Sequence, residues 1–153
     1  VDGKKFSPPE IWYKSRWHQV NRVIVNPFFK GSKNGTIATQ NIQHDLAILL
    51  LDFEVDDFVE PCTTKPPPSQ IVQIVGYGYT DFRNTMGSFA NRFGNNRIFW
   101  QGKGRIEVNA SSDDSLADNA NIGSGDSGGG IYWNGCLLGI NSAISFSETS
   151  SRP

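Results

Sequence analysis

An all-β fold is what this sequence predicts, and three observations carry that reading. Sixteen glycines and eight prolines in 153 residues mark frequent turns, which suit short strands better than long helices. The apolar runs have strand length, the longest spanning residues 46–51. Asn134-Gly135, between Ile131-Tyr132-Trp133 and the apolar stretch 136–140, is a strong hairpin signal, because both turn residues tolerate positive φ. No internal repeat or heptad pattern competes with these signals.

Residues 19–25 (Gln-Val-Asn-Arg-Val-Ile-Val) read as a strand that Asn26-Pro27 ends, and the polar stretch 31–35 reads as a loop. His44-Asp45 then leads into Leu46-Ala47-Ile48-Leu49-Leu50-Leu51. A continuous apolar run of this length suits a strand buried on both faces. Pro66-Pro67-Pro68 is the candidate linker, stiff and without backbone donors. Beyond it, residues 71–75 read as a strand running into Gly76-Tyr77-Gly78-Tyr79-Thr80, and residues 83–96, rich in Asn, Gly and Phe, as an irregular excursion. Residues 104–109 alternate apolar Ile106 and Val108 with polar Arg105 and Glu107, the period of a half-buried strand. Small, polar and acidic residues make 111–124 a loop before the final hairpin.

Composition excludes several function classes. A net charge of −1 gives no electrostatic case for nucleic acid or an anionic membrane surface. No apolar run approaches the roughly 20 residues of a membrane span. Val1-Asp2-Gly3-Lys4-Lys5 leads into no apolar region, so no signal peptide is read at the start and an internal or processed position is expected there. Asn34-Gly35-Thr36 and Asn109-Ala110-Ser111 are glycosylation acceptors that fit a secreted, extracellular protein. Cys62 and Cys136 allow either one disulfide or two buried thiols.

Gly125-Asp126-Ser127-Gly128-Gly129 carries the strongest chemical signal. The glycines permit backbone angles that other residues resist and clear space around a serine. The amides of Gly125 and Ser127 can then converge on a developing oxyanion, an arrangement in which each lost donor costs about 2.7–4 kcal/mol. Asp126 has no partner beside it, which points to a buried ionic contact fixing the loop; the competing reading is a plain Gly-Ser turn with a solvated aspartate. Asp45 stands at the mouth of a very apolar strand, where an unpaired charge costs several kcal/mol. A histidine ring N–H would satisfy it, and so would a turn-capping role. His44 adjoins Asp45, and neighbours in a strand face opposite ways. His18, in Trp17-His18-Gln19-Val20, has no small-residue turn or cysteine nearby. Neither histidine reads as a catalytic base, nor as a metal ligand, since no third ligand has suitable spacing. No metal and no cofactor is expected.

Together these segments resemble the trypsin/chymotrypsin family of serine endopeptidases. Gly125-Asp126-Ser127-Gly128-Gly129-Gly130 is similar to the family's Gly-Asp-Ser-Gly-Gly-Pro, with Gly130 replacing proline. His44-Asp45-Leu46-Ala47-Ile48-Leu49-Leu50 resembles the Asn-Asp-Ile-Ala-Leu-Leu strand, residues 22–28 the Val-Ile-Val-His-Pro strand, and Val75-Gly76-Tyr77-Gly78-Tyr79-Thr80 the Ser-Gly-Trp-Gly-x-Thr turn. Leu138-Gly139-Ile140-Asn141-Ser142 is similar to the Gly-Ile-Val-Ser strand that holds the substrate backbone. The resemblance covers nearly the whole chain.

It implies two antiparallel β-barrels of the chymotrypsin type with the active site between them: residues 1–65 part of the first, 66–70 the linker, and 71–153 most of the second. It implies Ser127 as nucleophile, Asp45 orienting a histidine, Gly125 and Ser127 as oxyanion hole, and Asp126 receiving a new amino terminus after zymogen cleavage. Protein or peptide substrates and protease inhibitors are the implied partners. The family's Ala-Ala-His-Cys and Ile-Val-Gly-Gly segments are not found, nor are the last strand and closing helix. The chain therefore reads as a middle section, the first barrel incomplete on its N-terminal side, with the histidine upstream or on a second chain. Asn121 stands at the pocket floor where trypsins carry aspartate, with Ser142 and Ile144 at the substrate-binding positions. Ala143 and Ile144 replace Trp-Gly, which leans toward small or aliphatic side chains before the cut bond; Asp118 is the alternative acid for a tryptic preference. The competing function is a non-catalytic homologue using loops 83–96 and 111–124 as a binding or regulatory surface.

Overall fold

Backbone pairing sorts the chain into antiparallel ribbons and one larger sheet. The computed structural model describes residues 9–29, 44–79, 90–102, 104–108 and 115–142. Strands β1 (Glu10–Tyr13) and β2 (Arg16–Gln19) form one hairpin, and β3 (Arg22–Val25) pairs with β4 (Ala47–Leu50) in a second two-stranded ribbon. The remaining strands are β5 (Ile71–Gly76), β6 (Arg92–Gly102), β7 (Arg105–Val108), β8 (Gly130–Trp133) and β9 (Cys136–Ile140). They make a five-stranded sheet in the order β7-β6-β5-β8-β9, curled into a half barrel.

The expected strand 19–25 is in fact divided. Gln19 closes β2, Val20 is buried at 4% exposure, and Arg22 opens β3. Val20 and Asn21 make the corner, their amides donating to the Pro9 and Leu50 carbonyls at 2.9 Å each. The β1–β2 turn uses Lys14 and Ser15, both at positive φ (46° and 64°). Tyr13 and His18 pack on Phe53, the imidazole stacked on the phenyl ring at 4.2 Å. Lys14 makes a solvent-exposed ion pair with Asp56, and such pairs contribute little.

The apolar run 46–51 does form a strand, but not one buried on both faces. Leu46, Ile48, Leu49 and Leu50 are exposed at 50%, 56%, 42% and 41%, and Val23, Ile24 and Val25 across the ribbon are exposed as well. A two-stranded ribbon covers neither of its own faces, and no further strand pairs with β3 or β4 among the described residues.

In the larger sheet one face makes the core. Val72, Ile98 and Ile131 are buried to 4% exposure or less, with Ile106, Val108, Trp133 and Leu138 packed around them. Each such side chain contributes about 1.5–3 kcal/mol on burial. Irregularities bend the sheet where barrels curl. Between Ile98 and Trp100 the register against β7 shifts, and a second shift in the β8–β9 ladder lies between Ile131 and Tyr132. The expected excursion 83–96 is overturned in its last part: Arg92 to Asn96 are strand, paired with Gly76 to Val72. The Asn and Gly content misled because these residues serve the packing described below rather than a turn. Asn134 and Gly135 form the expected hairpin turn, with φ of 48° and 80°.

The triproline stretch does not stand free. Pro66 is fully buried, its carbonyl accepts from Gln101 Nε2 at 2.8 Å, and the Gln70 carbonyl accepts from the Ile98 amide at 2.9 Å. Ahead of it, Glu60 to Cys62 add to the outer edge of β9: Leu137 N donates to Glu60 O and Cys62 N to Leu137 O, both at 2.8 Å. A Cys62–Cys136 disulfide fastens that edge. The bond closes a sequence separation of 74 residues, so its removal releases much chain entropy in the unfolded state. Reduction is expected to lower unfolding stability by about 2–4 kcal/mol, read as a shift in the urea midpoint. An unshifted midpoint after verified reduction would show that the hydrogen bonds alone hold the edge.

Candidate active site

Gly125 to Gly129 lie between the end of β5 and the start of β8, and the loop is pinned from both sides. Asp126 is half-buried, and its carboxylate accepts two backbone amides, Gly78 N on Oδ1 at 2.6 Å and Gly123 N on Oδ2 at 2.7 Å. Hydrogen bonds to an ionised acceptor are among the strong ones. No cation pairs with Asp126 among the described residues. The amide of Tyr79 donates to Ser124 O at 2.8 Å, and Gly129 N to Asp126 O at 3.0 Å.

That docking explains Gly76-Tyr77-Gly78. A Cβ on Gly76 would lie 2.0 Å from Asp126 Oδ1, and one on Gly78 would lie 2.5 Å from Ser124 O. The turn backbone lies against the Asp126 carboxylate and the Ser124 carbonyl, and only glycine leaves that room. Gly125 and Gly128 take φ of +92° and +89°, angles that side chains resist. Among the described residues the amides of Gly125 and Ser127 make no hydrogen bond, whereas those of Asp126, Gly128 and Gly129 all donate. One of these two donors is the serine's own amide and the other lies two residues before it.

Ser127 is exposed, and its Oγ lies 3.5 Å from the Ser142 carbonyl, the outer limit of a hydrogen bond. The Ser142 hydroxyl donates to Asp45 Oδ2 at 2.6 Å. Ser142 therefore contacts both Ser127, through its carbonyl, and Asp45, through its hydroxyl, although 97 residues separate it from Asp45. Asp45, expected to need a donor, finds it in a serine hydroxyl. Its Oδ1 accepts nothing among the described residues. The histidines lie elsewhere: His18 stacks on Phe53 and accepts from Arg16 Nε at 3.0 Å, while the His44 ring is tilted against Phe28 at 5.6 Å. No hydrogen bond among the described residues joins either ring to Ser127.

Asn121 is held from β6. Its Oδ1 accepts from Asn96 Nδ2 at 2.9 Å, and the same nitrogen donates to Ala120 O at 2.7 Å. Asn96 is fully buried. Next to it, Asn95 pairs with Asn119 in a parallel bridge and Asn95 N donates to Asp118 O at 2.7 Å. The segment before the serine loop is zipped onto β6 by asparagines whose role sequence reasoning missed. Asp118 is exposed, with φ of 53°. Ile144 and the two glycosylation acceptors lie outside the described residues. Among the described residues no three His, Cys, Asp or Glu side chains group to hold a metal ion, and no helix is long and apolar enough to cross a membrane.

A sequence-family model described as Trypsin matches residues 14–153. No curated protein matches the chain. The all-β architecture, with its curled half-barrel sheet, agrees with the chymotrypsin-type fold of that family.

The fit between Gly76 and Asp126 gives a direct test. Gly76→Ala is expected to destabilise by about 1–3 kcal/mol, the range for forcing atoms into a packed site. Gly139→Ala, whose Cβ would meet only Ile106 Cδ1 at 3.7 Å, should change stability by less than ~1 kcal/mol. Equal urea midpoints for the two variants would show that Asp126 gives way.

Proposed function

The chain belongs to the trypsin family, and on that ground we propose that it is the part of a secreted serine endopeptidase that supplies the nucleophile, Ser127, and the orienting acid, Asp45. One observation carries this reading: Ser142 contacts both Ser127 and Asp45, beside two amides without acceptors among the described residues. Protein and peptide substrates are the family's ordinary targets.

The chemistry follows from what each group can do. A serine hydroxyl is a weak nucleophile until a base takes its proton. Asp45 keeps one carboxylate oxygen on Ser142 and has the other for a ring N–H, the contact that sets the tautomer and orientation of an imidazole base. That histidine is not His18 or His44; it comes from outside this chain's residues, upstream in the same polypeptide or on a second chain. Ser127 Oγ then attacks the scissile carbonyl carbon while its proton passes to the base. The carbonyl oxygen, now an oxyanion, takes the amides of Gly125 and Ser127. Collapse expels the amine with the proton and leaves the acyl group on Ser127, and water reverses the sequence. Asn121 and Ser142 bind the substrate side chain and backbone, and Asp126 keeps the loop in register.

The intact natural protein is expected to be labelled at Ser127 by a phosphonofluoridate, with Ser127→Ala unlabelled. Asp45→Asn should lower kcat about 10⁴-fold. A polypeptide bearing the loop but no histidine should fall about 10⁶-fold. Absence of labelling in the intact protein would instead favour a homologue that binds without cutting.

A further inference from the structure

Asn141 is the buried polar residue that the chemistry above leaves without a role. It lies just past the end of β9 at 2% exposure, between Ile140 and Ser142. Its backbone is bonded to both glycines that follow the nucleophile: Gly128 N donates to Asn141 O, and Asn141 N to Gly129 O, each at 2.8 Å. Its side chain reaches the other way, Nδ2 donating to the Val75 carbonyl at 3.1 Å. The β5–β8 ladder ends at Ile74–Ile131, so Val75 O has passed the last strand pairing on that side. Asn141 supplies the donor that the ladder no longer provides. Gly129 lies between them: a Cβ there would be 2.3 Å from Val75 O and 3.0 Å from Asn141 Nδ2.

The remaining polar atom, Asn141 Oδ1, is buried with no hydrogen-bond partner among the described residues. A buried carbonyl without a donor is destabilising, so stability alone does not favour asparagine at this place. The donor half of the side chain accounts for it. Val75 immediately precedes the Gly76-Tyr77-Gly78 turn that holds Asp126. Asn141 therefore ties the far end of the serine loop to the same strand whose turn ties its near end.

Resting on the protease reading, we propose that Asn141 is a positioning residue that clamps Gly128 and Gly129 to the end of β5 and so sets the place of Ser127 Oγ and the Gly125 and Ser127 amides. Its side-chain donor goes to Val75 and its buried Oδ1 faces no donor among the described residues, so it acts through the loop. Its loss should therefore act on turnover rather than on substrate binding, because displacements near 1 Å at a reacting centre lower rates by about 10²-fold.

The test uses the intact protein with Asn141→Val, of strand-compatible shape without the donor, and Asn141→Thr, matched in volume with a hydroxyl too short to span to Val75. In both, peptides covering 123–129 are expected to exchange amide hydrogens at least about tenfold faster, while peptides within β8 and β9 keep their rates. In the same variants kcat should fall about 10- to 100-fold with KM within about twofold. Unchanged exchange at 123–129 in a folded variant overturns the clamp whether or not the protein cuts peptides. So does a KM rise with kcat intact. If neither variant folds, NMR of the unsubstituted protein decides: a slowly exchanging Asn141 side-chain amide is expected, and one exchanging like an exposed asparagine refutes the proposal. A natural protein that cleaves nothing counts against the protease reading and leaves the exchange result to judge Asn141.

Discussion

The Asp126 carboxylate, held between the amides of Gly78 and Gly123, is the contact from which the rest of the site follows. It is a half-buried acceptor, and its removal would leave the Gly78 and Gly123 amides without their partner. Because it binds backbone rather than side chains, it dictates composition on both sides. The 76–78 turn has to be glycine where the carboxylate enters, and the loop has to be glycine where it folds back. Those demands explain the glycine pattern of two segments almost 50 residues apart as one packing event, without appeal to flexibility. The outcome is a serine presented outward, with its own amide and that of Gly125 bonded to nothing among the described residues.

A second constraint joins the two halves of the structure. The Ser142–Asp45 hydrogen bond links the end of the curled sheet to the entrance of the β3–β4 ribbon. It is short and lies in a partly buried place, where charge-assisted bonds hold well. The larger sheet brings a hydrophobic core of its own; the ribbon brings almost none. Asp45 is thus positioned chiefly from the sheet side, through Ser142.

What could be read from the sequence divides along physical lines. Asn134-Gly135 announced its hairpin because two positive-φ residues in succession leave few alternatives. The Lys14-Ser15 turn takes the same kind of angles without the residues that favour them, so β1 and β2 were invisible as a pair. Ser127, Ser142 and Asp45 were legible through local motifs, and the structure places all three together. Asn141, Asn96 and the fit of Gly76 on Asp126 were not, since each gains its meaning from a partner far along the chain. The run 46–51 shows the limit most plainly. Six apolar residues say that burial is favourable, and they do not say what is there to do the burying.

The β3–β4 ribbon has a consequence for the material behaviour of a polypeptide limited to these residues. Its apolar side chains face outward and neither strand has a second partner among the described residues, the arrangement that other β-strands extend most readily. In such a polypeptide the ribbon, more than the well-packed sheet, sets the tendency to associate. Sulfate and other excluded salts, which strengthen apolar association, would drive preparations toward oligomers before the core begins to melt. With a net charge of −1, little long-range repulsion opposes that drift. Asp45 sits at the ribbon's entrance, so the first face lost to self-association is the one that carries the orienting acid.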